Sequence, residues 1–183
     1  LSNENILLAK EIFMKYGGSH FHMEREGEYQ YYKSFCITKE QEGLWIKEYL
    51  QEMLNSIENE DIVSPSFSRL SISISEYNDI FYFKKLVELV KCKRVNTDTF
   101  SQMRMAEEIL DIIEDFSKNH DILNKNTKLI RDAKHLALDI LNDITKKPIT
   151  VASYYRDIGY LHDVIQEDKI ISRVQRLIEK WKK

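Results

Sequence analysis

Leu70-Ser71-Ile72-Ser73-Ile74-Ser75 is the stretch on which the reading of the fold turns. Leu70, Ile72 and Ile74 alternate with Ser71 and Ser73 in a strict period of two, and an extended chain puts alternate side chains on opposite faces. The pattern predicts a strand with one apolar and one serine-lined face, entered from a loop over Asp61 to Ser66 that contains Pro65. Upstream, His20 to Cys36 shows the same period: Phe21 and Met23 alternate with polar residues, Glu26-Gly27 suits a tight turn, and Tyr29 and Tyr31 resume the alternation. That segment reads as a β-hairpin. Paired with the serine-rich strand it would complete an N-terminal three-stranded antiparallel sheet packed on helices.

On either side of this β element the apolar spacing is helical. Ser2 or Asn3 can cap a first helix with Ile6, Ala9, Ile12, Phe13 and Tyr16 on one face, closed by Gly17-Gly18. Thr38 and Gln41 have the spacing of a capping box, ahead of Ile46, Tyr49, Leu50, Met53 and Ile57. From Tyr77 on, the stripes are Ile80, Phe83, Val87, Val90; then Met103, Ala106, Ile109, Leu110, Ile113, Phe116 behind Asn96 to Asp98; then Ile130, Ala133, Ala137, Ile140, Ile144, stopped by Pro148. Val151, Tyr155, Ile158, Leu161 and Ile165 continue the arc, as do Ile170, Val174, Leu177, Ile178 and Trp181. The expected fold is thus mainly α with a small β element, an α+β part followed by a helical bundle. No repeat or low-complexity linker forces a boundary, so residues 1–183 read as a single domain with a soft subdivision into 1–95 and 96–183.

Composition narrows the class further. The 183 residues include only five glycines and two prolines, as expected of a helix-rich chain long enough to bury a core without disulfides. Cys36 and Cys92 lack CxxC spacing, and no secretory signal precedes them, which points to a reducing cytoplasm. No apolar run approaches the roughly 18 to 20 residues of a membrane span. The net charge of −3 gives no reason to expect a nucleic-acid partner, but the charge is unevenly spread: residues 169–183 hold six cations against Glu179. The amphipathic segment Lys169 to Lys183 can dock on its own domain or bind an anionic surface.

Candidate chemistry is sparse. His135 and, 27 residues on, His162-Asp163 within Gly159 to Asp168 have the residue types with which a helix pair holds a divalent metal. The stretch resembles, locally, the HD-domain signature of the bifunctional alarmone synthetase-hydrolase family. That resemblance implies a metal-activated water attacking phosphorus, with His135, His162 and Asp163 as ligands. The acidic pair Glu167-Asp168 falls one residue beyond the family's place, a rotation of about 100° on a helix. His20, His22, Glu24, Glu26 and Glu28 would share a face if extended, where a wet sheet surface is the simpler account. Glu107, Asp111 and Glu114 read as an exposed acidic face, with no Glu-x-x-His to make a di-metal site. No GxSxG elbow, P-loop or GxGxxG turn occurs. The expectation is a cytoplasmic, non-enzymatic regulatory or interaction module without a cofactor. It would bind a protein partner, or a second copy of itself, through the tyrosines Tyr29, Tyr31, Tyr32 and Tyr49 of the hairpin or through a helical groove.

Overall fold

In the computed structural model, which describes residues 2–59 and 65–182, the serine-rich stretch lies in a helix, Pro65–Tyr77. Proline suits the first turn of a helix, where its missing N–H has no intrahelical partner. From there Phe67, Leu70 and Ile74 are buried at a helical spacing of three and four, whereas Ile72 is 59% exposed. Ser71 is buried in place of Ile72 because its hydroxyl has acceptors within reach, the Ser68 carbonyl and Glu108, to share its one proton. The alternation Leu-Ser-Ile-Ser-Ile is equally compatible with a 3.6-residue period once serines can be satisfied inside.

The hairpin is likewise replaced by helix. Ser19 caps a short helix at His20–Arg25, Gly27 leaves it at φ 78°, and a second short helix runs Tyr29–Ser34. Met23 and Tyr32 point inward, while Phe21 and Tyr31 are 71% and 53% exposed, so the alternating set is not the buried set. Among the described residues there is no strand, and the expected three-stranded sheet is absent; the chain is all-helical. Short segments can satisfy either period, and at His20–Arg25 the Ser19 cap favours the helix.

By its contact pattern the chain forms two compact units, Leu1–Asn59 and Glu60–Lys183. The first contains α1 (Asn3–Lys15), α2 (His20–Arg25), α3 (Tyr29–Ser34) and α4 (Lys39–Asn59). Ser2 caps α1 and Thr38 caps α4, its hydroxyl accepting from Gln41 N at 3.2 Å. The core gathers Phe13, Tyr32, Trp45, Tyr49 and Leu50, with the Phe13 and Trp45 rings 5.6 Å apart. Gly17, at φ 57°, leaves no room for a side chain: a Cβ there would stand 2.9 Å from the Tyr49 ring.

The second unit comprises α5 (Pro65–Tyr77), α6 (Ile80–Lys93), α7 (Thr99–Ser117), α8 (His120–Lys125), α9 (Thr127–Ile144), α10 (Ser153–Arg156) and α11 (Glu167–Trp181). Its centre is α7, which packs against α5, α8, α9 and α11 and is buried on almost every side. The apolar stripes expected on α7 and α9 are all buried. Between α10 and α11 the chain makes a 3-10 turn at Gly159–Leu161 and further turns, so the stripe from Val151 to Ile165 is not one helix. α11 begins after Gln166 and lays Ile170, Val174 and Ile178 on α9 and α7. No described helix is long and apolar enough to cross a membrane.

Candidate functional site

The chemistry of the second unit concentrates on the first half of α7. Asp98 caps the helix, accepting from Ser101 N at 3.1 Å and from the Ser101 hydroxyl. Next to it Thr99 and Thr150 form a reciprocal clasp: Thr99 N donates to Thr150 Oγ1 at 3.0 Å and Thr150 N to Thr99 Oγ1 at 2.9 Å. Phe100 N also donates to the Thr150 carbonyl. The clasp holds the chain that leads into α10 against the start of α7. It delivers Tyr155 edge-on to Phe100, centroids 4.6 Å apart, with its hydroxyl 3.4 Å from Ser101 Oγ. Burial pushes the Tyr155 phenol up to about 12, the Ser101 hydrogen bond opposing, so the ring stays neutral.

One turn further, α7 carries a charged network. Glu107 and Glu108 are each only 8% exposed, which corrects their expected place on a wet acidic face. They are tolerated inside because every carboxylate oxygen has a donor. Glu107 accepts from Arg173 Nε at 2.8 Å and from Arg104 Nη1 at 3.0 Å; Glu108 accepts from Arg104 Nη2 at 2.7 Å, from Ser68 Oγ at 3.0 Å and from Ser71. Three helices, α5, α7 and α11, are thereby tied through two carboxylates.

A cavity of about 450 Å³ opens over this network. Arg104, Arg173 and Ser101 contribute its polar wall, Phe67, Phe100 and Tyr155 its apolar wall, and Arg69, Tyr154, Tyr160 and Val164 its mouth. Tyr160 is 84% exposed and Tyr154 51%, the latter edge-on to Tyr155 with centroids 5.7 Å apart. On the other flank of α5 and α7 lies an acidic groove lined by Ser75, Glu76, Asp111 and Asp115. There Asp111 is held above its usual range by the packing around it and then by the charges of Glu107 and Glu108, while a Lys118 hydrogen bond holds Asp115 below its own.

The residues singled out from the sequence are not gathered here. His135 stands on the exposed side of α9; His162 and Asp163 are exposed in the turns before α11, with His162 Nε2 2.6 Å from the Arg156 carbonyl. Among the described residues no three His, Cys, Asp or Glu side chains are placed to hold a metal ion. His20 and His22 ride on α2, where positions two apart point some 200° apart, so the five alternating residues share no face. His20 instead lies 3.1 Å from Glu42, which also accepts from the Tyr32 hydroxyl at 2.6 Å. Of the four tyrosines, Tyr32 and Tyr49 are core and Tyr31 is exposed.

Two cations of α11 pair within its own unit: Arg173 bonds Glu107, and Lys180 reaches Glu114 at 2.6 Å and also lies over the Trp181 ring, while Lys169, Arg176 and Lys182 are exposed. Arg104 was the residue the sequence reading missed. Its signal was the spacing Arg104, Glu107, Glu108, three and four positions apart on one helix face. No family model matches the chain, and no curated protein or solved structure was found to be similar to it.

Proposed function

We propose that this chain is a cytoplasmic, non-catalytic interaction module that receives a segment of a protein partner in the cavity over α7. The observation that supports the reading is the mouth of that cavity. Tyr160 and Tyr154 expose large amphipathic rings beside a recess whose polar groups are fixed by buried partners. Tyrosine offers much contact area for little loss of side-chain freedom, and a fixed donor set beneath it gives a partner orientation. Both cysteines are free, in keeping with a reducing compartment.

A photoreactive benzophenone amino acid placed at position 160 tests this in the cells that make the protein. Irradiation is expected to yield one discrete protein adduct there and none from the same group at the exposed position 131 on α9. Equal or absent labelling at the two positions would remove the cavity as the partner site.

A further inference from the structure

Resting on that reading, we infer that the segment received by the cavity is acidic and apolar by turns: a carboxylate set against the Arg104–Arg173 pair, with a neighbouring aromatic or aliphatic side chain against Tyr154 and Tyr160. The argument begins with counting donors and acceptors. Glu107 and Glu108 accept on both oxygens, so every acceptor atom of the buried network is already engaged. The donors are not. A guanidinium has five N–H groups, and the hydrogen bonds made here are Arg104 to Glu107, Glu108 and Ser68, and Arg173 Nε to Glu107, with Arg173 Nη2 in ion-pair contact with the same oxygen. At least half of the N–H groups of the two arginines are left, on side chains that line the cavity and are only 34% and 35% exposed.

Charge points the same way. The residues lining the cavity include three arginines and no carboxylate. The third, Arg69, is exposed at the mouth and makes no hydrogen bond or ion pair among the described residues. Glu107 and Glu108 sit behind the guanidiniums and cancel much of their field at a distance. Attraction is therefore short-ranged, through charge-assisted hydrogen bonds that a carboxylate makes well in bidentate fashion and a neutral amide less well. The acidic groove on the far flank, with Glu76, Asp111 and Asp115, repels the same ligand. This division of sign gives the two grooves opposite preferences.

The test uses the full chain labelled with ¹⁵N and two probes, acetyl-Glu-Phe-Glu-Leu-Glu-amide and its counterpart with lysine in place of each glutamate. The acidic peptide is expected to give saturable shifts confined to the amides around Arg69, Ser101, Arg104, Tyr154 and Tyr160, with a Kd on the order of 0.1–1 mM. The lysine peptide should give none there. Arg69→Ala and Tyr160→Ala, both exposed and so expected to fold, should each weaken binding about three- to tenfold. The proposal is overturned if the acidic peptide fails to saturate, if the lysine peptide binds the same residues as well, or if the shifts map to Ile72 and Asn119 in the acidic groove. An adduct at position 160 together with a silent acidic peptide would keep the module and discard its preference for acid.

Discussion

Replacing Glu107 with Gln isolates what the charged network contributes, because the two side chains share a shape and differ in charge. Glu107 accepts two hydrogen bonds from guanidinium N–H groups, at 2.8 and 3.0 Å, and Arg173 Nη2 stands in ion-pair contact at 2.7 Å. A hydrogen bond to a charged group nets about 1.5–3 kcal/mol, and a fully buried pair broken on one side costs about 3–5 kcal/mol. Two facts lower the figure here. Arg104 keeps Glu108 as a partner, and both arginines are about one-third exposed, so water recovers part of their solvation. Glutamine retains one acceptor but turns an NH₂ toward an arginine donor. The expected net loss is about 2 kcal/mol. With an m-value of about 1.5 kcal/mol per molar urea, the midpoint of the second unit should fall by about 1.3 M. The chain has two tryptophans, Trp45 in the first unit and Trp181 on α11, so Trp181 fluorescence in a Trp45→Phe background reports α11 specifically. Arg173→Met in the same background closes a double-mutant cycle, with an expected coupling of about 1 kcal/mol. A midpoint within about 0.2 M of the parent, or no coupling, would show that Glu107 does not fasten α11.

Two further outcomes follow from local geometry. Gly17→Ala should destabilise the first unit by about 2–3 kcal/mol, since it combines a positive φ with a Cβ 2.9 Å from the Tyr49 ring; Gly27→Ala, at φ 78° but with nothing within 4 Å, should cost only about 1 kcal/mol. Equal effects in chemical denaturation would mean that the Tyr49 contact gives way freely. The folded-state pKa of Asp111 is raised above the ordinary 3.8, so the folded chain holds its proton more tightly than the unfolded one. Its charge therefore lowers stability as pH rises through that window, and the penalty stays in full at neutral pH. Asp111→Asn should be more stable than the parent near pH 7 and indistinguishable from it near about pH 3 in urea titrations; a gain that persists in acid would exclude the electrostatic origin.

Long amphipathic helices were legible in the sequence because many positions vote on one period. The cap at Thr38 and the buried stripes of α7 and α9 stand where the spacing put them, and Ser2 and Asp98 are caps from within the candidates Ser2 or Asn3 and Asn96 to Asp98. Short segments were not, since four or five residues satisfy two periods at once. In α5 the decision rested on Phe67, one helical turn before Leu70, and on Ser71 finding Glu108 on another helix. Such a partner is invisible in a linear pattern. The site was hidden for the same reason: Glu107 looks solvent-facing until Arg173, 66 positions later, is brought beside it. Tyr155 was read as one of an apolar stripe, and only the Thr99–Thr150 clasp reveals that it closes a cavity wall.

The clasp and the Glu107–Arg173 tie also set an order of events during synthesis. α7 leaves the ribosome some fifty residues ahead of α11, and until Ile170, Val174 and Ile178 arrive, the apolar faces of α7 and α9 that they cover remain wet. Glu107 spends that interval without its partner on the last helix, whereas Glu108 already has Arg104, Ser68 and Ser71. A carboxylate at that seam is solvated while it waits, so Glu107 leaves less apolar surface open than a leucine at the same position would.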